Sequence, residues 1–170
     1  MNENRDTNEE RLNEIIHNFL THFSFFNRFN EEELSIIAQY INILEIEPGQ
    51  VLFKEGEQGD CVYFIVDGEL DVIKESVSGS RVGIDMVVIS KLSRGRSIGE
   101  MSIIDNIPRS ATVKARTEAA LVTLTSSGFD SICKDYPNIG IRILKGISRI
   151  LSMNLRQTSS RLADHMLSII

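Results

Sequence analysis

The sequence predicts a mainly β domain of the sandwich or jelly-roll kind, flanked by helices at both ends. Two observations carry this. Between residues 43 and 125 short β-type runs alternate with glycine turns. On either side of that stretch, apolar residues recur at helical spacing instead.

Residues 7–23 read as a helix, with Leu12, Ile15, Ile16, Phe19 and Leu20 repeating on one face. Phe23, Phe25, Phe26 and Phe29 form an aromatic cluster in the joint that follows. Asn30 is an N-cap candidate, and Glu31, Glu32 and Glu33 then sit where a helix dipole favours acids. That second helix is expected to run to about Asn42, with Leu34, Ile37, Ala38 and Ile41 on its apolar face. Strands are expected at 43–47 and 51–55 around the turn pair Pro48-Gly49. Asp67-Gly68 signals a hairpin between 61–66 and 69–74. After the Ser78-Gly79-Ser80 turn, 81–92 is β-rich, and 111–117 and 120–125 complete the set. A short helix starts at Ser126 or Ser127 and runs to Asp135, where Pro137 breaks it. A helix of about 45 Å then covers roughly 138–168. Along it Leu144, Leu151, Thr158 and His165 stand seven apart, as do Ser148, Leu155, Leu162 and Ile169. Its first turns can pack on the chain's own barrel. Beyond about Arg149 it overhangs, which predicts a homodimer through this helix.

Composition sets the class. The chain has 170 residues, 42% hydrophobic and 25% charged, which suits one soluble globular domain. No apolar run is long enough to span a bilayer, and the polar, acidic start does not resemble a secretory signal. A cytoplasmic location follows as an expectation, with Cys61 and Cys133 as buried thiols. Net charge is −6, with −5 over residues 1–35 and +4 over residues 138–170. An acidic chain is a poor nucleic-acid binder, so no nucleic-acid partner is expected. The basic helix could lie on an anionic surface, but its seam is narrow, so no membrane partner is expected either. His17, His22 and His165 are scattered, and nucleophile elbow, Walker and GxGxxG motifs are missing. Neither catalysis nor a metal is expected.

The chemistry concentrates in residues 98–112, IGEMSIIDNIPRSAT. Gly99-Glu100 marks a strand giving way to a helix start, where amides lack partners within the helix. Arg109 offers a planar fork that matches a phosphate. Ser110, Ala111 and Thr112 leave room beside it and add a hydroxyl. Glu100 is an acceptor suited to sugar hydroxyls. Together they describe a site for a ribose cyclic phosphate.

This run resembles the phosphate-binding cassette of cyclic nucleotide-binding domains, the family of the catabolite activator protein and of protein kinase A regulatory subunits. Residues 48–60 (PGQVLFKEGEQGD) and 62–70 (VYFIVDGEL) are similar to that family's early strands and glycine turns. The resemblance implies an eight-stranded double-stranded β-helix (jelly roll) with N-terminal helices and a long C-terminal helix. It divides the chain into a helical segment (1–42), a nucleotide-binding β-roll (43–125) holding the cassette (98–112), and C-terminal hinge and output helices (126–170). It assigns the phosphate to Arg109, Ser110 and Ala111 with the amides of Met101 and Ser102, and the ribose 2′-hydroxyl to Glu100. Gly99 would then keep the sugar's place clear. Ile98 and Val62, with Ile65 and Val113, are candidates for the apolar wall around the base; plain core is their alternative role. Counting forward from Arg109, Asn154 and Leu155 fall where the activator branch places polar contacts to the base. Asn154 suits adenine's edge; Leu155 departs from the pattern.

The implied function is a cyclic nucleotide sensor, cyclic AMP favoured over cyclic GMP, that moves its C-terminal helix and acts on an effector protein the sequence does not name. A winged helix-turn-helix needs tens of residues past Ile170, so output to DNA is not expected of this chain. The alternative is an interaction scaffold that kept the fold without the ligand. Relatives of that kind usually lose the arginine or the glutamate, and both stand here.

Overall fold

The computed structural model describes Leu20, residues 23–77 and residues 84–167. The expected helix over 7–23, Leu20 and Phe23 apart, and the Ser78-Gly79-Ser80 turn lie outside the described residues.

Helix α1 spans Glu31–Ala38. Asn30 caps it as expected, accepting from the Glu33 amide at 2.9 Å while the Glu33 carboxylate accepts from the Asn30 amide at 3.0 Å. The helix ends short of Asn42, because Ile41 and Asn42 already pair with Leu124 and Thr123 in a β ladder. Local helical spacing is overridden there by sheet pairing.

The strands are β1 (Ile41–Ile46), β2 (Val51–Phe53), β3 (Cys61–Asp67), β4 (Glu69–Val77), β5 (Ile84–Ser93) and β6 (Ser97–Ile98). A short helix α2 (Glu100–Asp105) precedes β7 (Thr112–Ala115) and β8 (Ala119–Thr125). Helices α3 (Ser126–Asp135) and α4 (Pro137–Leu167) close the chain. The eight strands form two four-stranded antiparallel sheets, ordered β1-β8-β3-β6 and β2-β7-β4-β5. This is the expected jelly roll. Strand β6 has two residues, too few for any periodicity to reveal. Thr125 caps α3 by accepting from the Gly128 amide at 3.0 Å. Pro137 takes the first position of α4, where its missing N–H leaves no bond unmade. No described helix is long and apolar enough to cross a membrane.

The sheet holding β3 and β8 is buried on both faces. Ile65 and Leu121 point between the sheets, into a core with Phe53, Leu70 and Val113. Val62, Phe64, Val122 and Leu124 point the other way, under the helices. Phe64 sits with Phe23, Phe25 and Phe26 at ring separations of 5.4, 5.1 and 5.4 Å. Ile139, Ile143 and Ile147, four apart along α4, close this second core. A fully buried aliphatic or phenyl side chain contributes about 1.5–3 kcal/mol, so these three turns hold α4 firmly on the roll. Arg142 adds an ion pair to Glu33 of α1 and donates to the Arg28 carbonyl at 3.1 Å. Cys61 is buried and Cys133 half-buried, and both are free thiols.

Candidate ligand site

Strand β6 delivers the chain to Gly99, which caps α2 with a positive φ of 82°. Glu100, first residue of that helix, is only 6% exposed. The loop after α2 returns to β7 through Arg109, whose backbone is clamped to the β2–β3 turn. Its amide donates to the Glu57 carbonyl at 2.8 Å and its carbonyl accepts from the Gly56 amide at 2.9 Å.

The Arg109 side chain is 5% exposed. Nη1 donates to the Gly99 carbonyl and to Ser102 Oγ, both at 3.1 Å. Nη2 donates to the Cys61 carbonyl at 3.0 Å. The guanidinium lies over the Phe53 ring, 4.2 Å from its centroid. Its Nε is buried with no hydrogen-bond partner among the described residues. No carboxylate neutralises this cation at ion-pair distance among the described residues.

Two glycines make room for it. A Cβ on Gly99 would lie 2.3 Å from Arg109 Nη1. Clearance for the arginine is thus a reason for Gly99 in the protein by itself. A Cβ on Gly59 would lie 2.7 Å from Arg109 Nε and 2.2 Å from Ser102 Oγ. Sequence reasoning did not single out Gly59, because spacing alone does not say which glycine meets a side chain fifty residues away.

The Glu100 carboxylate accepts from Asn154 Nδ2 of α4 at 2.9 Å. Burial pushes the Glu100 pKa above the usual carboxylate value. Its own backbone amide, then Arg96, Asn154 and Arg109, pull the other way without reversing it.

A cavity of about 940 Å³ opens between the cassette and α4. Ile98, Gly99, Glu100, Met101, Ser102, Arg109, Ser110, Ala111 and Asn154 all line it, as do Val113 and the exposed Leu155. Val62 and Ile65 do not. Val62 is wholly buried on the helix side of β3, so it is core and no part of the cavity wall. Thr112 is not on the cavity wall either, and its hydroxyl accepts from the Glu55 amide at 3.0 Å. Sequence reasoning missed Phe53, Arg96, Arg149 and Gln157 on the wall. Stepping three residues on from Asn154 along its helix face would have found Gln157. Among the described residues no cluster of three His, Cys, Asp or Glu side chains could hold a metal.

This architecture and site define a class. The family model for the cyclic nucleotide-binding domain matches residues 43–136, more than half of the chain, and the chain belongs to that family. A cyclic nucleotide-binding domain from Methylobacillus flagellatus KT superposes with a TM-score of 0.77 at 27% identity, covering 91% of this chain and 84% of that one. The regulatory domain of Toxoplasma gondii PKA, solved with cAMP, has a TM-score of 0.59 at 28% identity, covering 71% and 44%. The cAMP-dependent protein kinase regulatory subunit of Yarrowia lipolytica is 31% identical over 67% of this chain and 28% of its own length. A lysophospholipase of Neurospora crassa is 28% identical over 84% of this chain but only 8% of its own length. The chain thus spans less than a third of these curated relatives.

The raised Glu100 pKa makes a signed prediction. The folded protein holds this proton more tightly than the unfolded chain does. Stability contributed by Glu100 therefore falls as pH climbs from the unfolded carboxyl value through the raised folded one. Glu100→Gln removes the ionisation, so its stability relative to the parent rises with pH across that window. Urea unfolding of both proteins on either side of the window checks this; a difference that is flat, or that grows as pH falls, contradicts it.

Proposed function

We propose that this domain is a cyclic nucleotide sensor whose ligand is cyclic AMP and whose output element is α4. The observation that carries the reading is Arg109. It is a buried guanidinium on a cavity wall, with one N–H unpartnered and no carboxylate paired to it among the described residues. Burying such a charge is costly unless something completes its hydrogen bonding. A cyclic phosphate does so with a complementary charge.

In this reading Ser110, Ala111 and the amides of Met101 and Ser102 complete the phosphate cradle. Glu100 accepts from the ribose 2′-hydroxyl, and Ile98 and Val113 flank the base. Cyclic AMP is preferred because the regulatory-subunit relatives carry that nucleotide in their names. The domain binds rather than catalyses, and ligand shifts α4 between two positions. We also read the overhang of α4 as a pairing surface for a second copy. Leu155 and Leu162, one heptad apart, are 69% and 60% exposed.

Two outcomes are expected. In isothermal titration the parent takes up one cyclic AMP per chain, and Arg109→Ala weakens binding by about a hundredfold or more. Arg109→Lys keeps the charge, loses the fork and falls between. Circular dichroism shows whether each variant remains folded; full binding by a folded Arg109→Ala protein contradicts the assignment. In sedimentation equilibrium the parent is a dimer, and Leu155→Glu with Leu162→Glu is a monomer. A parent that stays monomeric at every concentration contradicts the pairing surface.

A further inference from the structure

We propose that the Asn154–Glu100 hydrogen bond is the tie that holds the far half of α4 against the cassette, and that the ribose hydroxyl of an arriving nucleotide displaces it. Asn154 is then a positioning residue that sets affinity through Glu100. The inference rests on the binding reading above and adds the means by which site and helix are coupled.

The packing of α4 changes character along its length. Up to Ile147 it is fixed by three buried isoleucines and by Arg142, which pairs with Glu33. Past Ile147 no described residue of α4 is buried, and Leu151 is the last partly buried one in the helix-side core. Met153 and Leu155, on either side of Asn154, are 50% and 69% exposed. Within one chain, apolar burial therefore contributes little to holding this half against the roll. Among the described residues, the side-chain hydrogen bond that joins α4 to α2 is Asn154 to Glu100, at 2.9 Å.

The acceptor makes this bond matter. Glu100 is a buried carboxylate, and a donor on it offsets part of the desolvation it suffers. The Asn154 amide approaches from the cavity side, because both residues line the cavity. A sugar hydroxyl reaching Glu100 must come through the same space. It is a donor of the same kind, so the exchange on Glu100 is nearly balanced. What changes is α4, which loses its tie. The ligand thus gains one hydrogen bond and breaks another, and the tie lowers the apparent affinity of the ribonucleotide.

This role and the base-contact role expected for Asn154 have opposite signs. Removing a base contact weakens binding. Removing a competing tie strengthens it, and only for a ligand that carries the 2′-hydroxyl. The test is titration of the parent and Asn154→Ala with cyclic AMP and with 2′-deoxy cyclic AMP. We expect Asn154→Ala to bind cyclic AMP about three- to tenfold more tightly and the deoxy ligand unchanged. Hydrogen exchange of the α4 amides beyond Leu151 should quicken in ligand-free Asn154→Ala, and in the parent with cyclic AMP but not with the deoxy ligand.

Weaker binding of both ligands by Asn154→Ala would make Asn154 a base contact and overturn the proposal. Equal tightening of both would reduce it to general loosening, and no change would mean that ribose and Asn154 share Glu100; either overturns it. A folded parent that takes up neither ligand overturns the binding reading itself, and that result stands before any variant is compared.

Discussion

The site is built around one buried cation. Arg109 draws together the carbonyl of Cys61 on β3, the carbonyl of Gly99 at the entrance to α2, and the hydroxyl of Ser102 within it. Hydrogen bonds to a charged group are worth about 1.5–3 kcal/mol each, and the Phe53 face beneath adds a further contact. The same guanidinium explains two distant glycines, because a methyl group at 59 or 99 would stand inside its contact distance. Among the described residues Arg109 Nε alone of the guanidinium nitrogens has no hydrogen-bond partner.

A second constraint comes from the β1-β8-β3-β6 sheet. It is covered on one face by the other sheet and on the other by the helices. Its central strands therefore act as a shared floor for the roll and for α4. This places the start of α4 by apolar packing and leaves its far half to polar contact with Glu100. The firm half and the weakly held half meet near Leu151, beside the cavity. The fold thus sets beside the cavity the half of α4 in which no described residue is buried.

Much of this was legible in the chain. Alternation and glycine turns found the strands. Capping chemistry found α1, and the break at Pro137 set the end of α3, whose actual cap, Thr125, was not foreseen. The residues between Ile98 and Ala111 found most of one wall of the cavity. What escaped was set by tertiary context. Strand β3 is apolar on both faces, so alternation could not say which face Val62 would take, and it took the helix side. The end of α1 was lost to the β1 ladder, which outweighs local helical preference at Ile41 and Asn42. The closeness of Gly99 to the Arg109 guanidinium, ten residues away in sequence and adjacent in space, was not foreseen. The Asn154–Glu100 contact joins residues 54 apart, and no local pattern encodes such a pair.

The most direct test of the central claim is to follow the Nε–Hε resonance of Arg109 by NMR while cyclic AMP is added. Among the described residues that N–H has no partner. If Arg109 anchors the phosphate, the resonance moves downfield and becomes protected from exchange, saturating at one nucleotide per chain. If the amides around residues 98–111 shift on binding while the Arg109 resonance stays where it was, the phosphate is held elsewhere and the account is contradicted.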